Sequence, residues 1–122
     1  MKRKVAVLGA SEDTSAYSHK AVQLLLNKGY DVIAIGKNPG KIGSLPIHTP
    51  EFIKSCSDVD TVTLYLNPCN QIPYYEWITN IKPQKVVFNP GAENPELQKI
   101  LDKHQIPYVN ACSLVLLNLN QF

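Results

Sequence analysis

Apolar residues along the chain fall into short continuous runs separated by longer stretches in which they recur every three or four positions. The runs "KVAVLG" and "DVIAIG" are rich in valine and isoleucine and end in glycine, as strands covered on both faces of a parallel sheet do. Three more runs follow: "VDTVTLYLN" around residues 59 to 66, "KVVFNPG" with its strand over 85 to 88, and "IPYVNA" with its strand over 106 to 109. Between the first two runs, "SHKAVQLLLNKG" sets Ala21, Leu24, Leu25 and Lys28 at helical spacing, with Gly29 just past the helix end and Lys28 complementing its dipole. "TPEFIKSC" predicts a short helix with Thr49 as N-cap and Pro50 in the first position, and "PYYEWITNI" predicts another. In "NPELQKILDKH", Asn94 is the cap, Pro95 opens the helix, and Leu97, Ile100 and Leu101 face inward.

Strands alternating with helices imply right-handed crossovers. The expectation is an α/β fold: a doubly wound, five-stranded parallel sheet of order 3-2-1-4-5 with helices on both faces, followed by "CSLVLLNLNQF". At 122 residues the chain has the size of a single domain, residues 1–122, and no repeat, linker or low-complexity tract interrupts it.

Charge narrows the function. The net charge is +2, Arg3 is the only arginine, and the lysines are dispersed, so no face is built for nucleic acid; "KRK" reads as a solvated strand entry. No apolar run approaches membrane-spanning length, and the first strand follows "MKRK" at once with no space for a signal peptide, so a cytoplasmic protein is expected. Cys56, Cys69 and Cys112 are odd in number and widely spaced, which matches neither a disulfide framework nor a C-x-x-C site. His19, His48 and His104 are equally scattered, and no metal site is expected.

Ligands of doubly wound sheets bind beyond the carboxyl ends of the strands where the strand order reverses, here expected between the first strand and the fourth, over 85 to 88. The turns to weigh are "GASEDTSAYS", "GKNPGKIG", "NPCNQIPYY", "NPGAEN" and "NACS". Glycine, proline and asparagine in them are turn residues first. After Gly9, a helix starting near Ser15 or Ser18 would point its free N–H groups at the reversal, which favours an anion; Ser11, Thr14, Ser15 and Ser18 add hydroxyls that serve equally as caps. A G-x-G-x-x-G dinucleotide turn would need glycine at Ser11 and Thr14, and an acid after the second strand to hold ribose hydroxyls. That strand ends instead in Gly36, Lys37 and Asn38, while Asp31 lies at its opposite end. Lys37 and Lys41 suit a phosphorylated ribose, so NAD fails and NADP ranks as the weaker of the remaining ligands.

"VAVLGAS", the serine at the helix start, "LLLNKGYDVIAI", an Asn-Pro turn, "VDTVTLYLNP" and "NACS", in this order, resemble the small stand-alone CoA-binding domain proteins, relatives of the CoA-binding domain of the succinyl-CoA synthetase alpha subunit. The similarity runs from Lys4 to about Leu117. It implies a Rossmann-like fold and CoA or acyl-CoA at the strand-order reversal. Carried over, the family's phosphate turn falls on Gly9, Ala10 and Ser11 with Ser18 at the helix start. The second turn falls on Lys37, Asn38 and Pro39 after Gly36, the third on Asn67 and Pro68, the fourth on Asn89, Pro90 and Gly91, and the last on Cys112. Arginines common in the family's first and third turns are absent here, Ala16 standing where the first would be, so phosphates would rely on lysine and backbone N–H groups.

The histidine-bearing second domain of the related ligases has no counterpart in this chain. Cys112 follows the fifth strand and opens a short apolar segment, and Cys69 lies near the expected cleft; both read as inert before they read as reactive. The leading expectation is a CoA or acyl-CoA binding protein with no catalytic residues of its own. The alternatives are an NADP-binding sensor or small oxidoreductase, and an interaction subunit with a vestigial nucleotide pocket. Tyr74, Tyr75 and Trp77 share one helix; aromatics so placed cover a sheet, and an exposed pair would instead suit a homodimer surface.

Overall fold

A computed structural model describes residues 3–122; of the "KRK" segment, Lys2 lies outside the described residues. The strands are β1 (Lys4–Leu8), β2 (Asp31–Ile35), β3 (Gly40–Ile42), β4 (Leu45–His48), β5 (Thr61–Leu64), β6 (Lys85–Phe88) and β7 (Tyr108–Asn110). The helices are α1 (Tyr17–Asn27), α2 (Pro68–Gln71), α3 (Tyr75–Ile81), α4 (Pro95–Lys103) and α5 (Ser113–Asn118). One sheet runs β3-β4-β2-β1-β5-β6-β7, parallel except for the antiparallel β3–β4 pair at its edge.

The α/β class with helices on a mainly parallel sheet is as expected, but the described residues form seven strands and not five. The additional pair, "GKI" and "LPIH", was not legible because each is three or four residues long and β4 carries Pro46, which cannot donate to a ladder. Pro46 is tolerated next to the edge, where β3 is the only strand outside it. The omission also misplaced the run over 59 to 66, which was counted third and set beyond β2. Its strand, β5, pairs directly with β1, from Val5↔Thr61 to Leu8↔Leu64. The strand beside β2 on its far side is β4, so the strand order reverses between β1 and β5, not between β1 and the run over 85 to 88.

Alternation along β1 divides the core. Ala6 and Leu8 face one layer with Trp77, Ile78, Leu97 and Leu101; Val5 and Val7 face the other with Val22, Leu25, Leu117 and Phe122. Tyr74 and Trp77 are thus core residues, and Trp77 Nε1 donates to the Cys56 carbonyl at 2.7 Å, so the aromatic helix offers no exposed pair. The expected helix over "PYYEWITNI" opens as a 3-10 turn (Ile72–Tyr74) around Pro73, which has no N–H to donate, and continues as α3 from Tyr75; α2 before it was not expected. The segment after Thr49 is a 3-10 turn (Pro50–Ser55), and Thr49 makes no side-chain cap. Arg3 is structural: its Nη2 donates to the Tyr30 hydroxyl at 2.8 Å and to the Phe122 carbonyl at 2.6 Å, and its guanidinium lies over both rings. No helix among the described residues is long and apolar enough to cross a membrane.

Asn94 is both cap and strut. Its Oδ1 accepts from the Leu97 N–H, while its Nδ2 donates to Gln71 Oε1 at 2.9 Å and to the Tyr75 hydroxyl at 2.8 Å. Asn67 caps α2 in the same way, on the surface, through the Asn70 N–H. Asn94→Ala leaves the buried Gln71 carbonyl unpaired and should cost about 2 kcal/mol, against about 0.5–1 kcal/mol for Asn67→Ala. Urea denaturation of the two variants distinguishes them, and equal losses would contradict a load on Asn94 beyond capping.

Candidate functional site

The first turn is pressed against the end of β2. Gly9 and Ala10 both donate to the Ile35 carbonyl, at 2.9 and 2.8 Å. Gly9 sits at φ +99°, a region that L side chains rarely adopt, and a β-carbon there would meet the Tyr65 backbone at 3.1 Å. At Gly36 the constraint is pure contact: a β-carbon would stand 2.4 Å from the Ala10 carbonyl oxygen. The two turns therefore share one wall.

Beyond Ala10 the loop binds itself. Ser11 Oγ accepts from the Asp13 N–H at 3.0 Å, and Asp13 Oδ1 accepts from both the N–H and the hydroxyl of Ser15, at 2.9 and 2.7 Å. These bonds, the side-chain one foremost, hold the Asp13 carboxyl below its ordinary value. Glu12 reaches across to accept from the Lys41 N–H at 2.8 Å, tying the loop to β3. Helix α1 then begins at Tyr17, later than Ser15, with Ala16 as N-cap and no side-chain cap bond. Among the described residues no side chain caps the first amides of α1, a helix end of the kind that favours an anion. Ser18 is buried in the first helical turn.

A crevice of about 330 Å³ opens at the carboxyl ends of β1 and β2. Gly9 and Gly36 form its floor, Leu66, Pro73 and Tyr74 its apolar wall, and Lys37 its charged rim. Of the residues expected at the site, Gly9 and Lys37 line it and Ala10 backs it against Gly36. Asn38 and Pro39 are exposed further along the second turn. Asn67 and Pro68 head α2 next to Leu66 and Asn70, which do line it.

Asn89, Pro90, Gly91 and Cys112 are not among its lining residues. Asn89 is 1% exposed, and its amide is fully engaged: Nδ2 donates to Thr63 Oγ1 at 2.7 Å and to the Leu64 carbonyl at 2.9 Å, and Oδ1 accepts from the Ser113 N–H at 2.8 Å. It clasps β5, β6 and the start of α5. Pro90 and Gly91 are exposed, and the Gly91 N–H is held by Glu93 Oε1 at 2.9 Å. Cys112 is the partly buried N-cap of α5, Cys69 is exposed in α2, and all the cysteines are free. Among the described residues no group of His, Cys, Asp and Glu is arranged to hold a metal.

Sequence reasoning missed Leu66 as a site residue because it ends an apolar strand run, and it weighed the third turn through Pro73 and Tyr74 without singling out either. It also missed Tyr65, which follows β5 and packs against the α1 layer. The Tyr65 hydroxyl is buried without a hydrogen-bond partner among the described residues. Burial pushes it up to about 12; Ser113 lies near enough to offset part of this, but its own hydroxyl is engaged with Thr63 Oγ1 at 2.8 Å.

Two other hollows lie elsewhere. One of about 430 Å³ borders the Asp31 end of β2, and one of about 580 Å³ runs between the 3-10 turn (Pro50–Ser55) and α3, meeting the crevice at Pro50, Pro73 and Tyr74. Neither lies at the strand-order reversal, where a doubly wound sheet places its ligand.

The family model described as "CoA binding domain" matches residues 3–118, which include both turns and the crevice. The chain belongs to the CoA-binding domain family. A crystal structure titled only as that of an uncharacterized protein is 38% identical, with TM-score 0.92, and covers 100% of this chain and 99% of its own. A second member of this fold, cell-free ID.343 from Thermus thermophilus, is 23% identical at TM-score 0.82, covering 99% of this chain and 91% of that one. The NADPH-dependent glyoxylate/hydroxypyruvate reductase of Sinorhizobium meliloti shares the fold at TM-score 0.63 and 11% identity, over 89% of this chain and 47% of the reductase. No curated protein matches.

The orphaned Tyr65 hydroxyl gives a prediction with a definite sign. Tyr65→Phe removes a desolvated donor that has no partner to lose, so unfolding free energy should rise by about 1 kcal/mol. A loss of stability in urea or heat denaturation would mean that the hydroxyl is satisfied in solution.

Proposed function

We propose that the chain binds CoA or an acyl-CoA in the crevice between its first two turns and has no catalytic group of its own. The observation that carries this reading is the crevice itself, with an apolar wall and a lysine at its rim, in a CoA-binding domain whose uncapped α1 follows the same first turn. Leu66, Pro73 and Tyr74 offer a surface for the flat face of a purine, and Lys37 with the first amides of α1 offers charge and donors to phosphates. A volume of about 330 Å³ suits the nucleoside end of CoA, leaving the remainder of the ligand outside the crevice.

The residues favour CoA over NAD for a local reason. The end of β2 supplies Gly36, Lys37 and Asn38 where a nicotinamide site would place an acid on the ribose, and a lysine answers a phosphorylated ribose. Asn67 and Pro68 at the head of α2 flank the same crevice. Asn38, Pro39, Pro90, Gly91 and Cys112 border the strand ends, where the extended part of the ligand would pass.

Thermal denaturation with CoA, acetyl-CoA, NADP and NAD at equal concentration tests this. A ligand at 100 times its dissociation constant adds about 2.7 kcal/mol, which raises the midpoint by several degrees. CoA and acetyl-CoA should do so in the wild type, and Lys37→Glu should reduce the effect by about tenfold in affinity. Stabilisation by NADP or NAD without CoA would overturn the reading in favour of a nicotinamide nucleotide.

A further inference from the structure

His19 lies in the third position of α1, is 5% exposed, and brings Nδ1 to 2.9 Å from the Ser11 carbonyl oxygen. A carbonyl can only accept, so Nδ1 carries the hydrogen. This bond spans eight residues and joins the first helical turn to the loop that precedes it. Every peptide bond in the described chain is trans. In a planar trans peptide the C=O and the following N–H point in opposite directions. A Ser11 carbonyl drawn inward onto a buried imidazole therefore turns the Glu12 N–H outward. Several neighbouring amides are spent, Gly9 and Ala10 on Ile35, Asp13 on Ser11 Oγ and Ser15 on Asp13, while those of Ser11 and Thr14 meet no protein acceptor among the described residues. The Glu12 N–H has no protein acceptor among the described residues.

We propose that His19 is the positioning residue of the phosphate turn. It fixes the Ser11–Glu12 peptide so that the Glu12 N–H acts as a loop donor to a ligand phosphate, alongside the first amides of α1. This rests on the reading that the first turn holds the phosphates of CoA. It supplies a donor in a loop that has no arginine, and it explains why a histidine occupies a buried position where an apolar residue would pack as well. Glu12's own side chain is drawn off toward Lys41, which keeps its carboxylate bound to a donor of its own.

The variants His19→Asn and His19→Leu separate positioning from packing, since the Asn amide nitrogen can stand where Nδ1 does and leucine has no donor. Calorimetric titration with CoA should give a dissociation constant about tenfold weaker for His19→Leu and within about threefold of wild type for His19→Asn. Equal binding by wild type and His19→Leu, or equal weakening in both variants, would overturn the role of His19 while leaving CoA binding intact. A wild type that does not bind CoA would overturn the underlying reading and this role together. Should His19→Leu fail to fold, the ¹⁵N-labelled wild type decides: saturation with CoA should shift the Glu12 amide resonance, and an unchanged resonance would overturn the proposal.

Discussion

The carbonyl of Ala10 and the α-carbon of Gly36 approach so closely that no side chain fits between them; a β-carbon would stand at 2.4 Å. That contact brings the turn after β1 down onto the turn after β2, and the double acceptance by the Ile35 carbonyl fastens it. The crevice exists because of this approach. Its floor is backbone, with Lys37 on the second turn at its rim. Glycine at these positions is thus a requirement of loop packing before it is one of ligand access.

Away from the crevice the loops are closed by their own side chains. Asn89 joins β5, β6 and α5, and Gln71 donates to the Leu66 and Ala92 carbonyls at 2.8 Å while accepting from Asn94. Buried amides with every bond made rigidify the strand ends that they join. Asn67 and Glu93 occupy the N–H groups of Asn70 and Gly91 on the third and fourth turns. Helix α1, whose cap is an alanine, has no such side-chain cap, and neither has α5 at Cys112.

Much of this architecture was legible from periodicity. Valine-rich runs located five of the strands, and Pro-after-Asn located α4 with its cap at Asn94. The β3–β4 pair escaped because strands of three or four residues with Pro46 among them carry no alternation to detect, and its loss carried the strand order with it. The site was legible in part, for a related reason. Glycine and lysine in turns announce themselves, which led to Gly9 and Lys37. Leu66 belongs to a run assigned to a strand, and Pro73 and Tyr74 to a segment assigned to a helix over the sheet; only the tertiary packing brings them to the crevice beside Gly9 and Gly36. Asn89 was singled out as a turn asparagine near a ligand; its identity reflects burial and three hydrogen bonds, a difference that no single sequence reveals. Arg3, read as solvated, is instead committed to Tyr30 and Phe122.

The proposed function puts the nucleotide end of CoA in the crevice between the turns after β1 and β2, against Leu66, Pro73 and Tyr74. A crystal structure of the full chain at saturating CoA decides this. Electron density for the purine should fall between Lys37 and the Leu66–Tyr74 wall, with a phosphate at the first turn of α1. Purine density in the hollow beside the Asp31 end of β2, or in the groove between the 3-10 turn (Pro50–Ser55) and α3, would contradict it.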